Sequence, residues 1–295
     1  MPRAQANGIE LEWEAFGDEA GEPLLLVMGL GAQMVLWDEL FCEKLAGRGF
    51  RVIRFDNRDV GLSTWLDQLG APEPFQAAAA LARGETPQVP YTLHDMADDT
   101  AALLEALELE AAHVVGASMG GMIAQTVAIR HPQRVRSLVS LMSTTGHPSL
   151  PAATPEALEI LTTPSPTDRE GAVAHGIRAA RVIGSPGFPF DEARVRRRAE
   201  RSFDRGFHPQ AMARQLAAIL GTPHRRDTLR AVRVPTLVVH GDADPLVRPE
   251  AGEDTARAVP GAELDLIEGM GHDLPEPAWE RIIEGIARTA MRARR

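Results

Sequence analysis

Short apolar runs alternate with stretches of helical periodicity through most of this chain, and few architectures accommodate that rhythm. Residues 24–28 form an uninterrupted apolar run, the pattern of a strand buried on both faces. Residues 51–55, 113–116, 137–142, 235–240 and 263–267 read as further short strands. Between them, residues 35–46, 93–109, 121–131 and 277–290 carry apolar side chains at helical spacing. Thr92 and Asp95 give the second of these helices a capping-box start, with Asp in place of Glu. Ahead of them Ile9, Leu11, Trp13 and Ala15 alternate with Glu10, Glu12 and Glu14, the period of a half-exposed strand. Strands alternating with helices predict an α/β fold, with a mostly parallel central sheet flanked by helices.

The rhythm stops over residues 146–228, where only helical patterns and proline-rich turns occur. The expectation is a core built from residues 1–145 and 229–295, carrying a helical cap at 146–228. Residues 70–90, rich in Ala, Pro, Glu and Gln, read as a surface excursion. A chain of 295 residues is long enough to bury a substantial core. Its net charge of −10 argues against a nucleic-acid partner, which would require clustered positive charge. The basic clusters at 194–198 and 225–230 are expected to be solvated helix faces or salt-bridged to acids. The single cysteine, Cys42, sits in an apolar-periodic stretch and reads as a buried structural thiol. No apolar run approaches the ~18–20 residues of a membrane span, and residues 1–16 lack the apolar centre of a signal peptide. A cytoplasmic protein with no membrane partner is expected.

Gly116-Ala117-Ser118-Met119-Gly120 fits G-x-S-x-G, and it lies between a predicted strand and a predicted helix. That setting gives the glycines a reason. The serine must occupy a tight, strained turn so that its hydroxyl projects at the carboxyl edge of the sheet. Side chains at Gly116 and Gly120 would collide with the neighbouring strand and helix. Ser118 is therefore the candidate nucleophile.

A serine hydroxyl needs a general base, normally histidine, and in such folds the partners follow in the order Ser, Asp or Glu, His. Of nine histidines, only His272 lies beyond the last plausible acid, in the glycine loop Gly269-Met270-Gly271-His272. His113 and His240 lie in or beside strands and read as core or hydrogen-bonded residues. The acid is Asp244 or Asp242, both directly after a buried strand; spacing does not separate them. An oxyanion hole needs two aimed donors. One is the backbone N–H of Met119, the residue after the nucleophile. The other, from the Met28-Gly29-Leu30-Gly31 loop, is assigned to the N–H of Leu30.

With these residues placed, the chain resembles the α/β-hydrolase superfamily over nearly its whole length. The carrying motifs are residues 24–31, Asp56-Asn57-Arg58-Asp59-Val60-Gly61-Leu62-Ser63, residues 116–120, residues 241–244 and residues 269–272. Within it the chain is most similar to the aclacinomycin methylesterase group, which removes a methyl ester from an anthracycline polyketide. Met28-Gly29, the Arg58-Asp59 pair and His113-Val114-Val115-Gly116 point that way. The resemblance implies a Ser118, Asp244, His272 triad, so it favours Asp244 over Asp242. It also implies Leu30 and Met119 as oxyanion donors and a helical cap over the pocket. No cofactor or metal is implied.

The expected reaction is hydrolysis of a small or medium apolar ester, polyketide-like methyl esters included, by a monomer or homodimer. Lactone, thioester or C–C bond hydrolysis and cofactor-free perhydrolysis could use the same three residues. A non-catalytic small-molecule receptor is the reading from another class. Trp37, just after the oxyanion loop, is a candidate wall of the substrate pocket.

Overall fold

A computed structural model describes residues 2–294. One sheet has the strand order β1-β2-β4-β3-β5-β6-β7-β8. Its strands are β1 (Arg3–Ala6), β2 (Ile9–Phe16), β3 (Glu22–Val27), β4 (Phe50–Phe55), β5 (Ala112–Ala117), β6 (Val135–Leu141), β7 (Thr236–Gly241) and β8 (Glu263–Ile267). β1 and β2 pair antiparallel, as do β2 and β4, and all pairings from β4 through β8 are parallel. The helices are α1 (Glu39–Ala46), α2 (Pro74–Ala82), α3 (Leu93–Ala106), α4 (Met119–Arg130), α5 (Pro155–Thr162), α6 (Arg169–Ile183), α7 (Glu192–Gly206), α8 (Ala211–Leu220), α9 (Pro249–Ala258) and α10 (Trp279–Arg292).

The apolar run in β3 shows why this sheet is covered on both sides. Successive strand residues point to opposite faces. Leu24 and Leu26 join one buried cluster with Val52, Val115 and Val239, closed by Phe41 of α1 and Ile283 of α10. Leu25 and Val27 join the other with Ile53 and Val114, closed by Leu104 of α3 and Ile123 of α4. Each such side chain contributes about 1.5–3 kcal/mol by leaving water, so neither face tolerates solvent. The helices match. Trp279, Ile282, Ile283, Ile286 and Ala290 of α10 are buried at spacings of three and four. α3 starts on the expected capping box, with Thr92 and Asp95 each accepting the other's backbone N–H.

Four elements differ from the sequence expectations, one of them α9, which no expected helix covers. β1 was not foreseen; it pairs with β2 through the turn at Asn7-Gly8, both at positive φ, the dipeptide that favours a two-residue hairpin. The helix expected over 35–46 is broken: Met34–Leu36 makes one 3-10 turn, and α1 begins only after Asp38, whose carboxylate accepts the Leu40 N–H. The excursion at 70–90 contains α2, whose alanine run is a strong helix former without an amphipathic stripe.

Between β6 and β7 the described residues hold α5 to α8 and no strand. The loop after β4 fastens two of these helices to the sheet. Asp56 accepts the Met34 and Leu62 N–H groups and pairs with Arg205 of α7 at 2.8 Å. Asp59 accepts both arms of Arg214 of α8, at 2.8 and 2.9 Å, together with the Tyr91 hydroxyl and the Leu66 N–H. Asp59 and the Arg214 side chain are almost fully buried, and hydrogen bonding to Asp59 holds the guanidinium well above its ordinary pKa. Among the described residues, removing Asp59 leaves the buried guanidinium only the exposed Asp67, at 3.0 Å, as a counter-charge. Asp59→Asn is expected to cost about 3–5 kcal/mol, measured as a lowered urea midpoint at unchanged slope.

The basic clusters divide. Arg194 pairs with Asp38 and Glu276 and stacks over Trp279, and Arg226 pairs with Asp254. Arg225 departs from expectation: it is buried, and its partners are the neutral acceptors Gln125 and Thr144 O. Burial without a counter-charge pulls its pKa down to about 10. Cys42 is a free, fully buried thiol, pushed up to about 12 by burial. Among the described residues no helix is long and apolar enough to cross a membrane.

Candidate active site

Ser118 sits at the joint between β5 and α4 with φ 56° and ψ −120°, a region that side-chain-bearing residues rarely occupy. The glycines around it permit the turn. A Cβ on Gly116 would lie 2.0 Å from Gly120 O, and one on Gly120 would lie 2.0 Å from Val27 O of β3. The turn is pinned from outside as well. Ser118 N donates to Leu141 O at 2.9 Å, and Ser118 O accepts from the Ser143 hydroxyl at 2.7 Å. Strain of this kind costs about 1–3 kcal/mol. Ser118→Gly is therefore expected to raise the unfolding free energy by about 1 kcal/mol or more, read by thermal or urea unfolding.

His272 lies in the loop between β8 and α10. Its Nε2 is 2.9 Å from Ser118 Oγ, and its Nδ1 is 2.7 Å from Asp244 Oδ2. A carboxylate only accepts, so Nδ1 carries the proton and Nε2 is left free to accept from the serine hydroxyl. Asp244 follows β7 and is fully buried. Its Oδ1 accepts the Leu246 and Val247 N–H groups, each at 2.9 Å. Burial alone would push this carboxyl up. The imidazoles of His272 and His240 outweigh it and hold the pKa at about 2.

Asp242 does something else. It is exposed, and its Oδ1 accepts the Gly269 N–H at 2.7 Å. Both carboxylates thus serve the histidine loop, Asp244 through the ring and Asp242 through the backbone. His240, read from sequence as a core or hydrogen-bonded residue, donates Nε2–H to Val247 O at 2.8 Å and lies 3.5 Å from Asp244 Oδ2.

The candidate oxyanion donors are on the same edge. The Met119 N–H is the first of α4, where the helix offers no internal acceptor and favours negative charge. Gly29 is packed against the serine: a Cβ there would lie 3.2 Å from Ser118 Cβ. In that loop the Gly31 N–H is taken by Gln215 Oε1 at 2.8 Å, while the Leu30 N–H bonds to no acceptor among the described residues. The structure does not support Trp37 as a pocket wall. It is fully buried, stacked on Phe41 within the cluster beneath the sheet, because the chain turns inward after the 3-10 turn.

Two contacts escaped the sequence reading. The end of α6 and the linker that follows it are stitched to the histidine loop: His272 N donates to Ile183 O at 2.7 Å, Gly187 N to Gly269 O at 2.9 Å, and Gly271 N to Ser185 Oγ at 2.8 Å. Ser185 in turn donates to Asp273, whose carboxyl burial pushes up. The other contact is the Arg214-Gln215 pair. Its signal was two polar residues in the middle of the otherwise apolar helix AMARQLAAIL.

The sheet order, the strained serine joint and the loops that converge on it define a class. The chain belongs to the family described as the alpha/beta hydrolase fold, whose model matches residues 22–277. Within it the chain is 29% identical to the rhodomycin D methylesterase DnrP of Streptomyces peucetius, covering 97% of each chain. It is 30% identical to the rhodomycin D methylesterase DauP of Streptomyces sp. (strain C5), covering 94% of each. Among solved structures, an enol-lactonase from Burkholderia xenovorans LB400 superposes with a TM-score of 0.74 at 22% identity, covering 98% of this chain and 100% of that one.

Proposed function

We propose that this protein is a serine-dependent hydrolase of carboxylic esters. The observation that carries the reading is the continuous hydrogen-bonded line from Ser118 Oγ through His272 to the buried Asp244, at 2.9 and 2.7 Å. A carbonyl carbon within reach of Ser118 Oγ would be attacked as His272 Nε2 takes the hydroxyl proton. Asp244 keeps the ring in the tautomer that permits this and stabilises the imidazolium. The oxyanion would be met by the Met119 and Leu30 N–H groups. As the tetrahedral intermediate collapses, His272 returns the proton to the departing alcohol, leaving the acyl group on Ser118. Water, deprotonated by the same imidazole, then releases the acid and restores the serine.

The substrate side follows from the relatives. Two near-full-length relatives are named rhodomycin D methylesterases, so a methyl ester of a bulky, polyketide-like acid is the proposed class. Residues 146–228 would form a cap over the site, tied to it by the contacts at the histidine loop. Turnover of p-nitrophenyl esters from acetate to long chains, beside methyl esters of polycyclic aromatic acids, tests the reading. Rapid, Ser118-dependent release supports it. A folded protein silent on every ester would overturn it in favour of a non-catalytic receptor.

A further inference from the structure

We infer that Gln215 of α8 is a positioning residue for acyl transfer, holding the Gly31 N–H so that the adjacent Leu30 N–H is presented to Ser118. The inference rests on the ester-hydrolase reading above. Gln215 is fully buried. Its Oε1 accepts from Gly31 N at 2.8 Å, and its Nε2 donates to Arg58 O at 2.8 Å. Those partners also fix which way the amide faces, since an N–H requires the oxygen and a carbonyl requires the NH2. Gln215 therefore bridges the loop after β3 and the loop after β4.

The loop it grips is one that would otherwise turn easily. Gly31 stands at φ 64°, a left-handed conformation open to glycine at little cost. Glycine also leaves the peptide planes on either side free to rotate. An oxyanion donor acts through preorganisation: its worth lies in not having to reorient as charge develops. Engaging the Gly31 N–H fixes the Leu30–Gly31 peptide, and with it the direction available to the Leu30 N–H next door. Gly31 is exposed, so without the glutamine oxygen its N–H would turn to water and the Leu30–Gly31 peptide would lose the contact that fixes its direction. Gln215 is itself held steady by its neighbour, since Arg214 is clamped by Asp59. Met212, one turn earlier on α8, also packs on this loop: its side chain lies 3.6 Å from where a Gly31 Cβ would be.

The test compares Gln215→Met, which keeps the bulk and removes both hydrogen bonds, with Gln215→Glu, which keeps an acceptor for Gly31. Ser118→Ala is assayed beside them, all on p-nitrophenyl butyrate. One oxyanion donor is worth roughly 10²- to 10³-fold, and misaiming it should cost less. Gln215→Met is expected to lower kcat about 10- to 100-fold with KM within about twofold, and Gln215→Glu to stay within about fivefold of the parent. A methionine variant with parental kcat, or a loss carried wholly by KM, overturns the role. So does an equal loss of kcat in both variants. Should the methionine variant not fold, the glutamate variant decides alone, and a loss in it beyond about 100-fold overturns the role. Parental activity in Ser118→Ala would instead overturn the ester-hydrolase reading, and the role of Gln215 with it.

Discussion

Ser118→Ala is expected to lower ester turnover by roughly 10⁵- to 10⁶-fold while leaving the fold intact. The size follows from how the residues act together. Once the nucleophile is gone, His272 and Asp244 have nothing to activate, and what remains is binding and the oxyanion donors. The fold should survive because the serine side chain contributes little packing. Its neighbours Ala117 and Met119 are buried, whereas Ser118 itself is half-buried. The backbone bonds that pin the turn, Ser118 N to Leu141 O and Ser143 Oγ to Ser118 O, do not involve the hydroxyl. Activity within tenfold of the parent protein would remove Ser118 from the mechanism.

The second large effect separates two aspartates two residues apart. Asp244→Asn is expected to cost roughly 10⁴-fold in kcat. An asparagine facing Nδ1 can present its NH2 and force the opposite tautomer, which puts a proton where Ser118 needs an acceptor. Asp242→Asn should cost only a few-fold, since the amide oxygen can still accept the Gly269 N–H. Parallel kinetics of the two variants check this, and a larger loss at 242 would assign the acid to the wrong carboxylate.

That pair also shows where a sequence stops being legible. Asp242 and Asp244 lie one and three residues past the end of β7, both within the same short loop; only the chain's path after β7 decides which carboxylate meets the imidazole. Ser118 and His272 were legible as candidates because the glycines around them mark a tight turn and a loop, and the structure brings the two side chains to 2.9 Å. The sheet was legible because continuous apolar runs such as 24–28 have no comfortable place except between two covered faces. β1 was overlooked although Asn7-Gly8 announced it, since four residues of mixed polarity carry little period. α2 was hidden because its alanine run, though strongly helix-forming, carries no amphipathic stripe. Trp37 misled because it follows the loop after β3 in sequence, yet its indole is fully buried in the core and stacked on Phe41. Gln215 and Arg214 had no local signal beyond polarity in an apolar helix. Their partners, Gly31 and Asp59, lie more than a hundred residues away, and no periodicity reports such contacts.

An activated Ser118 nucleophile should react with a fluorophosphonate, the most direct test of the proposed ester hydrolase. An activated serine oxygen displaces fluoride from phosphorus and retains the phosphonyl group, which peptide mass spectrometry locates. One label per chain is expected, on the peptide carrying Ser118, with ester turnover falling in step with labelling and no label on Ser118→Ala. Labelling at another residue, or a folded and ester-cleaving protein that never takes the label at Ser118, would contradict it.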